Sequence, residues 1–316
     1  MVEDSVRIAW NEGTISAWSA AFARLPRATL PQSFGYAQAM AKTHRYLPRL
    51  GLIEHAGQAI GLVQVLERRS LKLFAQRQLH RGPLWFDGEP GPDVLEPVLR
   101  ALRAACPDNP FNRCSFLPEL AASPETTALL ERCGFRRTGP GYRTVWLDLT
   151  RSDEDLRAGL ARDWRQRLKG AEKAGLAIDI DPEAKNLPWL VKQEHEQAQA
   201  KQYREMSGAL TVRLRNALHK TDGALMVAAL AGGQPVASAL LLGHGRQATY
   251  QIGWSNEAGR KAGAMRLVLW RAIGALRERG FTALDLGGIN PDTAPGVTEF
   301  KLNTGGAVSE SVGLYR

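Results

Sequence analysis

Cysteine is scarce in this chain: only Cys106, Cys114 and Cys133 occur among its 316 residues. They are odd in number, widely spaced and without paired histidines. A disulfide framework and a zinc site are both disfavoured, and a reducing compartment is expected. The six histidines, His44, His55, His80, His195, His219 and His244, show no H-x-x-x-H spacing, so no metal is expected. A G-x-S-x-G elbow and a Walker loop are also missing. No apolar run approaches the ~20 residues needed to cross a bilayer. The opening Met1-Val2-Glu3-Asp4-Ser5 lacks the basic and apolar regions of a signal peptide. These absences point to a soluble, cytoplasmic globular protein.

What is present is a large apolar fraction and an excess of positive charge. The 44% hydrophobic content permits one large core or two smaller ones of roughly 150 residues. A net charge of +9 suits a polyanionic partner, since cationic side chains gain by releasing phosphate counterions. An arginine- and alanine-rich composition also follows from a GC-rich genome, so charge alone does not decide.

The chain reads as two similar halves. In the first, Arg49 to Glu54 and Gln58 to Glu67 read as strands around the turn His55-Ala56-Gly57. A strand from Gln78 to Trp85 precedes a helix from Asp93 to Ala105. The strand Asn112 to Leu117 leads to a helix from Pro124 to Cys133, and Tyr142 to Leu149 alternates as a strand. In the second, Ala224 to Leu230 and Pro235 to Leu242 flank the turn Ala231-Gly232-Gly233-Gln234. A strand from Ala248 to Gly253 precedes a helix from Ala262 to Arg279, and the strand Thr282 to Leu286 follows. The expected domains are 1–149 and 150–316, without a Ser/Gly-rich linker between them.

After the boundary the pattern predicts one long helix, Asp153 to Ala174, with Ser152 as N-cap and Gly175 as stop. Leu156, Leu160, Trp164 and Leu168 form its buried stripe. Arg162, Arg165, Lys169 and Lys173 share the other face, either as a phosphate-contacting ridge or as an ordinary solvated surface.

The last forty residues carry the most chemistry. Leu284-Asp285-Leu286-Gly287-Gly288-Ile289-Asn290 reads as a buried strand ending in a turn. The glycines allow sharp turning or close approach to a ligand. Glu299-Phe300-Lys301-Leu302 follows, with Lys301 expected at the edge of the strand-end crevice. Tyr250 and Trp254 lie on a nearby strand, where they stack on a base or pack in the core.

The D-L-G-G-I stretch followed by Phe-Lys resembles the C-terminal signature of the Fem-type aminoacyl-tRNA-dependent transferases. The string Trp164 to Lys173, the segment Gln32-Ser33-Phe34-Gly35-Tyr36-Ala37 and Arg81-Gly82-Pro83 resemble further pieces of that family. The resemblance implies an α/β fold of two tandem GNAT-like domains with mixed central sheets, and the repeated strand order agrees. It implies transfer of an amino acid from aminoacyl-tRNA to the amine of a peptide, cell-wall precursor or small molecule. No cofactor is implied.

Residue by residue, the resemblance gives Lys301 an oxyanion-stabilising or tRNA-end-binding role. Asp285 either meets a substrate amine or anchors the Gly287-Gly288 turn. The candidate substrate-binding residues are Phe300, Gly287, Gly288, Tyr250, Trp254, Lys42 and Tyr36, and the candidate tRNA contacts are Arg162, Arg165, Lys169 and Lys173. Peptidoglycan-building members clamp a diphosphate with a first-domain lysine and a second-domain arginine. Here Met40 stands at the lysine position, with Lys42 near it after Tyr36. Arg204 and Arg213 are candidates for the arginine, though neither aligns cleanly, and Leu117 replaces an acidic residue, with Glu119 displaced. The usual nucleotide-linked muropeptide is therefore not the expected acceptor.

Two other readings stay open. One is an acyl-CoA N-acyltransferase using acetyl-CoA or another acyl-CoA. Its pyrophosphate loop would be Arg260-Lys261-Ala262-Gly263-Ala264-Met265, which departs from the pattern at Met265. The other is an inactive module that binds RNA or a peptide. Oligomeric state is not legible.

Overall fold

The structure is a computed structural model, and it describes residues 6–70, 73–203, 206–218 and 223–316. Two compact units emerge: Met1–Arg143 with Ser309–Arg316, and Thr144–Val308.

The first unit opens with β1 (Val6–Trp10), α1 (Ile15–Ala23), a 3-10 turn at Leu30–Gln32 and α2 (Phe34–His44). The strands β2 (Leu47–His55), β3 (Gln58–Ser70), β4 (Phe74–Gly82) and β5 (Leu84–Trp85) follow. Then come α3 (Pro92–Ala105), β6 (Asn112–Pro118), α4 (Pro124–Arg132) and β7 (Arg137–Gly139). The second unit takes up β8 (Arg143–Asp148), α5 (Asp153–Gly159), α6 (Arg162–Lys173), β9 (Ala177–Asp181), α7 (Leu187–Lys201) and α8 (Gly208–Leu218). It continues with β10 (Ala224–Ala231), β11 (Gln234–His244), β12 (Gln247–Ser255), α9 (Glu257–Lys261) and α10 (Ala264–Glu278). After these come β13 (Ala283–Gly288), α11 (Pro295–Leu302) and β14 (Ala307–Glu310), and the closing β15 (Leu314–Tyr315) joins the first unit's sheet.

Each unit has a mixed sheet. The first runs β1-β2-β3-β4-β6-β15-β7 with β5 on β3, and the second β14-β8-β13-β12-β11-β10-β9. The repeated order seen in the sequence is therefore real: hairpin, strand, helix, strand occurs as β2-β3-β4-α3-β6 and as β10-β11-β12-α10-β13. In both, the strands flanking the helix are parallel neighbours. A parallel pair needs a crossover between its strands, and the helix supplies it.

Local chemistry explains most boundaries. Ser33, Ser123 and Ser152 cap α2, α4 and α5 by accepting backbone N–H bonds from Tyr36, Thr126 and Asp155. In the second unit Trp164 and Leu168 of α6 and Leu267, Val268 and Leu269 of α10 pack with β10 and β11 into one core. Strands β10 and β11 are apolar almost throughout, as strands covered on both faces must be.

Two expectations change. The long helix Asp153 to Ala174 is two helices, α5 and α6, broken at Leu160 and Ala161. Leu160 is extended (ψ 137°), and the Ala161 N–H donates to the Asn303 carbonyl at 3.0 Å instead of continuing a helix. Tertiary contact overrides propensity there, yet Leu156, Leu160, Trp164 and Leu168 are all buried as the stripe required. The strand Tyr142 to Leu149, read as closing the first half, pairs with β13 in the second unit's sheet through Leu147↔Leu284 and Trp146↔Asp285. The dividing point of the units accordingly lies at 143/144, and the chain's end returns to the first unit.

Candidate active site

The site residues gather where β12 and β13 part. Pairing between these strands covers Gln247↔Ala283, Ala248↔Leu284 and Thr249↔Asp285, then stops, although β12 runs on to Ser255 and β13 to Gly288. Two irregularities open this fork. β12 shifts register against β11 between Leu240↔Ile252 and Leu241↔Tyr250, so Gln251 is an extra residue that bends the strand. β13 shifts register against β8 between Asp285 and Gly288.

Asp285 holds the turn at the fork. Its buried carboxylate accepts the Gly287 N–H at 2.8 Å and the Thr144 hydroxyl, and Thr144 also reaches the Gly287 carbonyl at 2.9 Å. Gly287 has φ +74°, a conformation glycine adopts without strain. Thr144 is a residue that sequence reasoning missed, because it lies 141 residues from its partner.

Lys301 lies near the end of α11 and is buried, at 7% exposure. Its Nζ donates to the Gly288 carbonyl at 2.9 Å and lies 5.7 Å from the centre of the Tyr250 ring. A Cβ at position 287 would stand 3.0 Å from the Tyr250 carbonyl oxygen and 3.6 Å from that nitrogen, so the backbone passes close to both. Burial pushes the ammonium down to about 8, against the opposing pull of Asp285. Tyr250 is fixed by Met265, whose sulfur is 3.5 Å from its hydroxyl, and by Gly253, where any side chain would collide with that hydroxyl. Burial raises the Tyr250 phenol above its ordinary value.

The fold thus brings together Asp285, Gly287, Gly288, Tyr250 and Lys301, and turns others away. Phe300 faces the core, its ring 5.8 Å from that of Trp164 and its carbonyl accepting the Trp164 indole N–H at 3.1 Å. Successive helix residues point about 100° apart, which is why Phe300 packs inward while Lys301 enters the fork. Trp254 is buried edge-on against Trp189 of α7, with ring centres 5.1 Å apart. Arg162, Arg165, Lys169 and Lys173 are all exposed on α6.

In the first unit, Tyr36 is half-buried and Lys42 exposed on α2, while Met40 is buried. Glu119 is committed to Arg81 through two hydrogen bonds, so its carboxylate is occupied. Leu117 is half-buried on β6, and Arg213 is exposed on α8. Arg204 and His219 lie outside the described residues.

The segment Arg260 to Met265 forms α9 and the start of α10. Arg260 donates to the Ser255 carbonyl at 2.7 Å, Lys261 pairs with Glu257, and Met265 faces Tyr250. At Gly263, the N-cap of α10, the Arg167 carbonyl of α6 comes within 3.3 Å of where a Cβ would lie. A side chain at position 263 would therefore crowd the α6 backbone. Among the described residues, no group of three or more His, Cys, Asp or Glu side chains is placed to hold a metal, and no helix is long and apolar enough to cross a membrane.

This is the arrangement of a GNAT-like fold used twice. Residues 158–302 match the family described as Acetyltransferase (GNAT) domain. The whole chain is similar to the crystal structure of FemX, with a TM-score of 0.79 and 15% identity over 97% of this chain and 96% of that one. It is also similar to L-PGS from Bacillus licheniformis (TM-score 0.54, 12% identity, 96% and 91% coverage). A tandem GNAT protein from the clavulanic acid biosynthesis pathway shares the fold as well (TM-score 0.53, 12% identity, 98% of each chain). Curated proteins give no match by sequence. At these identities the likeness is one of fold, a tandem GNAT-like architecture.

Proposed function

We propose that the chain is an aminoacyltransferase that moves an amino acid from aminoacyl-tRNA to an amine acceptor, forming an amide. The observation that carries the reading is Lys301, a buried ammonium beside the Gly288 carbonyl where β12 and β13 part. Of its three N–H groups one is held by Gly288, which leaves two for a substrate oxygen.

The donor ester is already activated, so orientation and oxyanion stabilisation suffice. The acceptor nitrogen bonds to the ester carbonyl carbon, and negative charge collects on the carbonyl oxygen, where the desolvated ammonium acts at close range. The carbon–oxygen bond to the ribose then breaks, and the proton lost by the amine ends on the leaving oxygen. A lysine lowered to about 8 remains mostly charged at pH 7, yet exchanges a proton at little cost.

The acceptor is an amine on a peptide, cell-wall precursor or small molecule, no cofactor beyond the donor is required, and the reaction belongs in the cytoplasm. The exposed cations of α6 supply a surface for tRNA phosphates. A second reading, acyl-CoA transfer, is favoured by the GNAT match over 158–302. It is opposed by Met265, which departs from the loop pattern with which such enzymes seat the CoA pyrophosphate on backbone N–H groups.

The test is to incubate the protein with mixed charged tRNAs and candidate amines and to look for new amides by mass spectrometry. Ribonuclease-sensitive product supports the proposal. Acetyl-CoA consumption supports the second reading, and neither activity leaves a binding module.

A further inference from the structure

A second polar region lies in the first unit, away from the chemistry at Lys301. Side chains alternate across β4 and β6, so Leu79, Cys114 and Phe116 are buried with α3 and α4. The opposite face carries Gln76, Gln78 and His80 on β4 and Arg113 and Ser115 on β6. Register sets Gln76 beside Arg113 and Gln78 beside Ser115. A cavity of about 310 Å³ opens here, lined by Tyr46, Gln76, Gln78, Arg113, Ser115 and Thr138, among others. That volume is at the lower end for small-molecule sites.

The floor is held in one arrangement. The Tyr46 hydroxyl donates to Gln76 Oε1 at 3.4 Å and accepts from Gln78 Nε2 at 3.2 Å. Arg68 stacks 5.1 Å from the centre of the Tyr46 ring and donates to the same Gln76 oxygen. His80 Nε2 lies 2.9 Å from Ser115 Oγ, and burial pushes the imidazole down to about 4, so it is neutral at pH 7. The Gln76 NH2 group and the Gln78 carbonyl oxygen have no partner among the described residues. Nor does the exposed guanidinium of Arg113.

The rim of this face is apolar. Phe74 and Phe111, at the start of β4 and just before β6, are 43% and 56% exposed with ring centres 5.9 Å apart, and Leu73 is exposed beside them. Nearby carboxylates are already paired: Glu67 with Arg69 and Arg77, and Asp108 with Arg316. Read along the face, two exposed rings give way to a free guanidinium and then to amides and hydroxyls. That is the order of groups in an anionic amphiphile, from chain to charge to hydrogen-bonding head.

We propose that this face of the first unit binds an anionic lipid at a membrane surface. Phe74 and Phe111 enter the acyl boundary, Arg113 takes the phosphate, and Gln76, Gln78 and Ser115 hold the polar head. Aromatic rings flanked by arginine suit this role, because the rings gain by leaving water while the guanidinium stays at the charged surface. The proposal does not depend on the acyl donor and is tested without tRNA.

The experiment is co-sedimentation of the full chain with phosphatidylcholine vesicles, with and without phosphatidylglycerol, and with glycerol 3-phosphate as soluble competitor. Binding should require phosphatidylglycerol and weaken with salt. Arg113→Gln should lower it about fivefold, and Phe74→Ser with Phe111→Ser about tenfold or more. Thermal unfolding verifies that the variants fold. Equal binding to both vesicle types, binding unchanged in either variant, or no binding would overturn the proposal. So would full displacement by glycerol 3-phosphate, which would identify a free phosphate as the ligand.

Discussion

The two parallel strand pairs occupy the same place in their units and have opposite characters. In the first unit β4 and β6 stay paired from Ala75↔Asn112 to Gly82↔Pro118, and an ion pair, Arg81 with Glu119, ties the strand ends. In the second unit β12 and β13 separate after Thr249↔Asp285, and the cation at that end, Lys301, is held by a neutral carbonyl. One cation is neutralised in place and the other is left with hydrogens to give. A repeated strand order therefore need not repeat a site, because a bulge and a glycine turn decide whether the strand ends open.

The contrast predicts which changes each unit tolerates. The largest effect is expected in the first. Glu119→Ala strands the Arg81 guanidinium, whose side chain is 6% exposed, and should cost about 3–5 kcal/mol in urea unfolding. Lys301→Met removes a buried charge with no comparable ion pair and should leave stability near neutral or raised. Similar losses in both variants would erase the distinction.

Next in size is catalysis. Lys301→Ala should lower kcat about 10² to 10³-fold, roughly 3–4 kcal/mol, if the ammonium stabilises an oxyanion. Lys301→Arg should recover only part, since a planar guanidinium does not replace a compact ammonium. Full activity in a folded Lys301→Ala variant would falsify the assignment.

Comparable but titratable is the pH dependence. The folded state releases the Lys301 proton near 8 and the unfolded chain near 10.5. Between these values the unfolded state binds more protons, so stability should rise with pH, by at most roughly 3 kcal/mol. Lys301→Met should abolish the rise in urea titrations repeated across that window. Activity should fall as pH passes about 8, because the charged form does the work. The smallest effect belongs to α6: Arg165→Glu with Lys169→Glu should weaken tRNA binding and lower its salt slope by about 2. An unchanged slope would return this face to ordinary solvation.

Much of this was legible in the sequence. The His55-Ala56-Gly57 and Ala231-Gly232-Gly233-Gln234 turns placed the hairpins, and Ser152 marked a helix start. The Leu156–Leu168 stripe identified a buried face even though its helix is broken. Less was legible at the site, because its contacts are long-range. Nothing in the spacing of Phe300 and Lys301 says that one packs on Trp164 while the other enters a fork. Nothing in Thr144 announces its bond to Asp285.

By itself the sequence determined the repeated strand and helix order, and so the tandem α/β class, because hydrophobic period and turn residues act locally. Tertiary structure alone decided that Tyr142 to Leu149 supplies a strand to the second unit and that β12 leaves β13 after Thr249. It alone decided that Lys301 is buried with a lowered proton affinity. Those outcomes depend on pairing register and desolvation, which are set by residues far apart in the chain and leave no local signature.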